Sequence, residues 1–198
     1  MGRLALVTPP SIEPVTLAEA KLFLKGDSDT ADDALVTDLV AAARRTVEEK
    51  LDRALITQTW DYYLDRFPDA SCPICLERPP LLAVTTVKYT PNGGSIQTMT
   101  AGDYYVDNAL DTRGRPRRGE VWLNVGKAWP GDVLRIRNGV EVRYTAGFGA
   151  AAANVPEQIR SGIKQLVAYW YYNRSMIGSI PDDIGAVLAG APSAFIYA

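Results

Sequence analysis

Hydrophobic residues near both ends of the chain recur at steps of three and four, a spacing typical of amphipathic helices. The first such segment follows Thr16, whose side chain is a predicted N-cap, and Glu19 stands at the capping-box offset. Gly26 is predicted to end this helix. Its apolar face consists of Leu17, Ala20 and Leu24.

Three more helical segments show the same spacing. The longest runs from Asp32 or Asp33 to about Arg53, and another follows Pro156 and ends near Arg174. A short last one has the sequence DDIGAVLAG. The apolar positions of the two long helices are Leu35, Leu39, Ala42, Ala43, Val47 and Leu51, and Ile159, Ile163, Leu166, Val167, Trp170 and Tyr171.

Between these helices the pattern changes to alternation with turn residues, which is typical of strands. The sequence PNGG predicts a hairpin turn, because Asn and Gly accept positive φ. The pattern predicts an α+β fold: an α-helical bundle of about four helices with an inserted antiparallel β-rich domain. Its helical part is residues 1–55 and 150–198, with a C-terminal tail, and its insertion is residues 56–149. Predicted strands are ITQTWDYYLDRF, Ile74–Arg78, Val84–Thr90, Ser95–Met99, Tyr104–Asp107, Glu120–Val125 and Val133–Tyr144.

The absence of one residue type narrows the range of possible functions. The chain has no histidine, which excludes Ser-His-Asp and Cys-His catalysis and histidine-ligated metals. The carboxylate pairs Asp61 with Asp65 and Glu48 with Asp52 are the remaining acid-base candidates, and outward positions on strand or helix explain them. We expect no enzyme activity, no cofactor and no metal site.

Net charge and hydropathy argue against two further classes of protein, dedicated nucleic-acid binders and membrane-spanning proteins. The formal net charge of −2 argues against a dedicated nucleic-acid binder. Apolar runs are much shorter than the roughly 20 residues that cross a bilayer, so no membrane span is expected. The N-terminus lacks a signal-peptide core, which predicts that the protein stays in the cytoplasm until assembly.

Two short motifs have structural explanations. Cys72 and Cys75 have the CxxC spacing of redox and zinc sites, but closely following prolines and the lack of further soft ligands favour a structural or incidental pair. Gly147, Gly149 and Ala152 fit GxGxxA, yet Asn-Val-Pro precedes the next helix, which favours a sheet-to-helix turn over a dinucleotide site.

The sequence leaves more than one possible role for the charged and aromatic clusters. The acidic run lacks EF-hand spacing, so helix capping is the expected role of Asp27, Asp29, Asp32 and Asp33. The loop RGRPRRG is either a solvated hairpin tip or a non-specific contact with passing DNA. The aromatic side chains of residues 169–172 are expected to face partly the core and partly a neighbouring subunit. The arginines of the loop are Arg113, Arg115, Arg117 and Arg118.

The ordered segments resemble the head-to-tail connector (adaptor) family of siphophages and phage-like gene transfer agents. The resemblance rests on PVTLAEAKLFLK at 14–25, the helix ending at Trp60, VRYTAGFG at 142–149 and VPEQIRSGIKQLVAYWYYNR at 155–174. It covers nearly the whole chain in order.

This resemblance implies a structural subunit of the particle neck, assembled in the bacterial cytoplasm. It implies a ring of about twelve copies under the portal protein, which extends the DNA channel and receives a stopper or tail-completion protein. The C-terminal segment would bind the portal, and the arginine loop would line the channel. The alternative is a DNA-binding module using Arg113–Arg118, which predicts salt-sensitive binding of duplex DNA. The portal-binding residues would be Ser193, Ala194, Phe195, Ile196, Tyr197 and Ala198.

Overall fold

A computed structural model describes residues 2–25, 30–108 and 117–190. Within them lie four α-helices: α1 (Leu17–Leu24), α2 (Asp33–Leu51), α3 (Glu157–Tyr172) and α4 (Asp182–Gly190). The strands are β1 (Arg3–Thr8), β2 (Gln58–Leu64), β3 (Ile74–Cys75), β4 (Leu81–Tyr89), β5 (Gln97–Thr98), β6 (Tyr104–Asp107), β7 (Glu120–Leu123) and β8 (Val140–Ala146). The predicted α+β class, with helices on both sides of an antiparallel middle, is confirmed.

The chain divides into two compact units. The β unit consists of Met1–Pro9 and Thr57–Gly147, and the helical unit consists of Pro10–Ile56 and Phe148–Ala198. The prediction placed residues 1–55 in the helical part, but β1 pairs with β2 and lies in the β unit. This strand was missed because its apolar run is short and separated by about fifty residues from its partner.

Two antiparallel sheets make up the β unit. The larger has the strand order β1-β2-β8-β4-β5, and the smaller has the order β3-β7-β6. Burial alternates along β8, so that its even-numbered residues from Val140 to Ala146 face the core, as a strand with one buried face requires. The buried apolar residues of the unit are Tyr62, Ile74, Leu76, Leu81, Val87, Met99, Val121, Val140, Val142, Tyr144 and Ala146.

In the helical unit, α3 packs against α1, α2 and α4. Its stripe of apolar residues predicted from sequence is buried except for Tyr171, which is half-buried. Trp170 is fully buried, and its indole Nε1 donates to the Ser179 carbonyl at 2.8 Å. Each buried aliphatic side chain contributes about 1.5–3 kcal/mol. The core consists of Val15, Ala20, Leu24, Val36, Leu39, Val40, Ala43, Val47, Leu55, Ile56, Val155, Ile159, Ile163, Leu166, Val167, Trp170, Ile184 and Leu188.

Several predicted boundaries shift in the structure. The capping box at Thr16 and Glu19 is present, but the left-handed C-cap of α1 is Lys25 (φ 58°). Leu24 is the last helical residue, so α1 ends before Gly26. The strand predicted over Val133–Tyr144 begins at Val140, because the preceding residues form a loop with one isolated bridge between Pro91 and Leu134. The PNGG turn does connect paired strands, β4 and β5.

In the described part of the chain, no helix combines the length and apolar character needed to cross a membrane.

Candidate functional site

The arginine loop connects β6 to β7. Arg113 and Arg115 lie outside the described residues. Arg117 forms an ion pair with Asp107, so part of the positive charge of the loop is already matched. Arg118 is half-buried. Its positive charge acts on Tyr62 and Cys75 in the direction that lowers the pKa of each. The part of the loop that the structure describes is therefore tied to the β unit.

The predicted portal-binding segment, Ser193–Ala198, lies outside the described residues. The helix that leads into it, α4, is anchored by Ile184 and Leu188, which are 5% and 0% exposed. The segment therefore follows directly from an element that is packed into the helical core.

Cys72 and Cys75 are free thiols. Burial, followed by the negative charge of Glu120, raises the pKa of the Cys75 thiol. A raised pKa disfavours the thiolate, which is the reactive and metal-binding form. Residues 2–25, 30–108 and 117–190 contain no cluster of three or more side chains suited to a metal ion.

The first carboxylate pair does not converge on a common site. Asp61 accepts two hydrogen bonds of 2.8 Å from Arg143 on the neighbouring strand. These bonds hold the pKa of Asp61 below its usual range. Asp65 instead accepts from the backbone amide of Asn138 at 2.9 Å. Both carboxylates therefore have structural partners, which is the opposite of an acid-base pair poised for proton transfer.

The second pair is equally structural. Glu48 bonds Arg44 at 2.6 Å and accepts the backbone amide of Leu55 at 2.9 Å, inside the helical unit. Asp52 is the left-handed C-cap of α2, with φ 48°. The Glu48 carboxylate thus supports the turn after α2, and Asp52 ends the helix through its left-handed backbone.

The remaining motifs serve the local fold. Gly147 and Gly149 have φ of 136° and 149° in the turn between β8 and α3, as predicted. Asp32 occupies the N-cap position of α2 but makes no capping bond, and instead accepts a hydrogen bond from the hydroxyl of Tyr171. The expected capping role of Asp32 is therefore wrong, because the tyrosine is the partner of its carboxylate. Asp27 and Asp29 lie outside the described residues.

Exposed apolar residues gather at one end of the helical unit. The hydroxyl of Tyr172 donates to the Leu24 carbonyl at 3.3 Å, which places Tyr172 beside the end of α1. Leu22, Phe23 and Tyr172 are 75%, 45% and 68% exposed. We call this surface the helix-end patch. Exposed apolar groups of this kind typically mark interaction sites.

A second exposed apolar surface lies on the loop between β7 and β8. Val125, Val133 and Ile136 are 103%, 78% and 90% exposed. Trp129 in the same loop stacks on Phe67 with ring centroids 5.0 Å apart. The loop backbone is bonded to residues 90–92, through Arg135 to Thr90 at 3.0 Å and Asn92 to Val133 at 2.7 Å. These bonds connect the backbone around Val133 and Arg135 to the turn after β4.

Two strands at the ends of different sheets also carry exposed apolar side chains. β1 and β6 each end a sheet and pair on one side only within the described residues. Leu6 and Val7 on β1 are 46% and 43% exposed, and Tyr105 on β6 is 49% exposed. The sequence analysis identified neither these edge strands nor the exposed loop. Which side of a strand is exposed depends on pairing with distant segments, and a local sequence pattern does not show that pairing.

Comparisons by sequence and by structure give different results. No protein-family model matches the sequence, and no curated protein matches it. A chain from the virion of a native gene transfer agent (GTA) particle matches by structure with a TM-score of 0.75 and 22% identity. This match covers 98% of the present chain and 97% of the other.

Two neck structures match with the same coverage. One is the neck of an empty GTA particle computed with C6 symmetry, with a TM-score of 0.77 and 22% identity. The other is the neck of a native GTA particle computed with C12 symmetry, with a TM-score of 0.67 and 20% identity. The predicted resemblance to a phage-like gene transfer agent protein is thereby confirmed as a shared fold.

Proposed function

We propose that the chain is a structural head-to-tail connector subunit in the neck of a phage-like particle, with no catalytic role. The observation that carries this proposal is the match to a neck chain over 98% of the sequence, which spans the β unit and the helical unit together. The structural roles of the carboxylate pairs agree with it. So do the helix-end patch and the exposed loop, since a subunit of a large assembly needs surfaces for its neighbours.

The subunit acts as part of a ring of about twelve copies. Cyclic symmetry of the matched necks, C6 and C12, supports this arrangement. A ring multiplies weak contacts, because once one subunit binds, the others bind at high effective concentration. Such a subunit can remain monomeric in solution and assemble on its target.

The target on the head side is the portal protein, which the segment Ser193–Ala198 binds. Phe195, Ile196 and Tyr197 give this segment apolar and strand-forming side chains, suited to a groove or a sheet edge. A stopper or tail-completion protein binds below. The loop Arg113–Arg118 faces the channel, where the passing DNA makes transient non-specific contacts.

The test uses purified chain and tail-less heads that carry the portal. Wild-type protein is expected to co-sediment with these heads and not with heads lacking the portal. A chain ending at Pro192 is expected to unfold at the same temperature as wild type and to lose co-sedimentation. Failure of the wild type to bind contradicts the connector role, whereas normal binding by the truncated chain contradicts only the portal-binding role of the segment.

A further inference from the structure

The chain passes between the β unit and the helical unit three times. On the helical side, residues 10–16 lead into α1, residues 52–56 follow α2, and residues 148–156 lead into α3. We call these segments the three connections. They are far apart in the sequence, so any link between them comes from tertiary contacts within the helical unit.

A buried ion pair on α2 reaches the first connection. Arg44 and Glu48 are 6% and 7% exposed, and Nη1 of Arg44 donates to Oε2 of Glu48 at 2.6 Å. The Nε of the same guanidinium donates to Oε2 of Glu13 at 2.7 Å. On α3, Nε of Arg160 donates to the carbonyl of Pro14 at 3.0 Å. Arginines of two helices therefore bind the segment that leads into α1.

The same ion pair reaches the other two connections through Glu48. Its second carboxylate oxygen, Oε1, accepts the backbone amide of Leu55 at 2.9 Å. The carbonyl of Leu55 in turn accepts the backbone amide of Phe148 at 3.0 Å. Hydrogen bonds thus run from Glu13 through Arg44 to Phe148, and they join one residue of each connection.

Net stability alone does not explain a buried ion pair at this place. Burying two charges costs desolvation energy, and apolar side chains of similar volume often stabilise a protein equally well. The other buried positions of α2 are apolar, among them Val40, Ala43 and Val47. An ion pair adds direction, because a guanidinium donates along fixed axes and a carboxylate accepts on two oxygens at once. Such a pair positions the groups on both sides of it.

We infer that Arg44 and Glu48 form a clasp that holds the three connections together, so that the connections loosen together when the pair is broken. Hydrogen bonds that are linked in a buried network strengthen one another. A change at Glu13 is therefore expected to reach the Phe148 amide through the residues that lie between them in the network. Arg44 and Glu48 are positioning residues, and the clasp belongs to the isolated subunit, so its test does not depend on docking to a portal.

Amide hydrogen exchange of the full chain, followed by NMR, tests the clasp. Arg44→Met combined with Glu48→Gln removes both charges and leaves a side-chain oxygen for the amide of Leu55. The amides of Leu55 and Phe148 are expected to exchange about tenfold faster than in wild type, because their connections open locally. The amide of Leu166, in the core of α3, is expected to change by less than about threefold. Equal acceleration at all three amides would show a general loss of stability and would overturn the clasp, as would unchanged exchange at Leu55 and Phe148.

Glu13→Gln gives an independent measurement for the case where the double variant does not fold. The side chain of Glu13 is 30% exposed, so this substitution spares the core. It is expected to speed exchange at the Phe148 amide about threefold, although Phe148 lies in a different connection. The matched control is Glu49→Gln, at an exposed position of α2, which is expected to leave exchange at Phe148 unchanged. An equal effect of the two substitutions, or no effect of Glu13→Gln, overturns the coupling of the connections.

Discussion

Asp61 is held by Arg143 on the neighbouring strand and is buried, although its strand position was predicted to face outward. Asp61 is 4% exposed and accepts hydrogen bonds from Nε and Nη2 of the Arg143 guanidinium on the adjacent strand, with the Tyr63 hydroxyl as a further, longer donor at 3.3 Å. The sequence could pair Asp61 only with nearby Asp65, since Arg143 is 82 residues away. The carboxylate is therefore a cross-strand link and not an acid-base group.

Replacing this carboxylate should make stability less dependent on pH. The bonds from Arg143 lower the pKa of Asp61, so its contribution is present above the ordinary aspartate value of about 3.9 and is lost as the pH falls below it. Asp61→Asn is expected to lower the free energy of unfolding by about 1–3 kcal/mol at pH 7, with a smaller difference near pH 3. Urea unfolding at both pH values measures this.

The matched control for Asp61 is Asp132→Asn on the exposed loop, which is expected to change unfolding by less than about 0.5 kcal/mol. An Asp61→Asn deficit that is equally large at both pH values would show that the ionised carboxylate is not the source of the stability.

At the scale of elements, helix packing was more predictable than strand pairing. The apolar stripe of α3 recurs locally, so the sequence contains its buried face, and the capping box of α1 uses residues three apart. Strand boundaries depend on partners: β1 needs β2, and residues 133–139 stay outside β8 because their backbone bonds go to the turn after β4. The local alternation of polar and apolar residues does not show that β1 pairs with β2, nor that residues 133–139 bond to the turn after β4.

The contact between α3 and α4 depends on a glycine. A Cβ at Gly162 would lie 2.6 Å from Cδ2 of Leu188, and Leu188 is fully buried. Gly162→Ala alone combines a gain in helix propensity of about 1 kcal/mol with this clash. In a Leu188→Ala background the added methyl group enters vacated space. We expect the two substitutions to couple by about 1–3 kcal/mol in a double-mutant cycle of unfolding free energies.

Gly185→Ala on α4 serves as the control for this cycle, because its Cβ would make only an ordinary contact of 3.9 Å with Ile180. It is expected to be neutral or to stabilise α4 by up to about 1 kcal/mol. Additivity of Gly162→Ala and Leu188→Ala to within about 0.5 kcal/mol would mean that α4 does not pack on α3 through this pair.

At the scale of the whole molecule, the sequence was informative about class and uninformative about surfaces. The order of helices and strands predicted a likeness that the structural matches confirm as a shared fold, although identity to those chains is only 20–22%. The exposed loop and the helix-end patch became visible only in three dimensions. In the ring that we propose, they are the candidate surfaces for contacts with neighbouring subunits.

A connector subunit of the kind that we propose must form a ring on the portal at the neck of a phage-like particle. Electron cryomicroscopy of tail-less, portal-bearing heads mixed with the purified chain would image such a ring. We expect a ring of additional density below the portal, with cyclic symmetry and a subunit that fits the fold described above. Heads whose portal remains bare at saturating protein, with the chain still folded in solution, would contradict it.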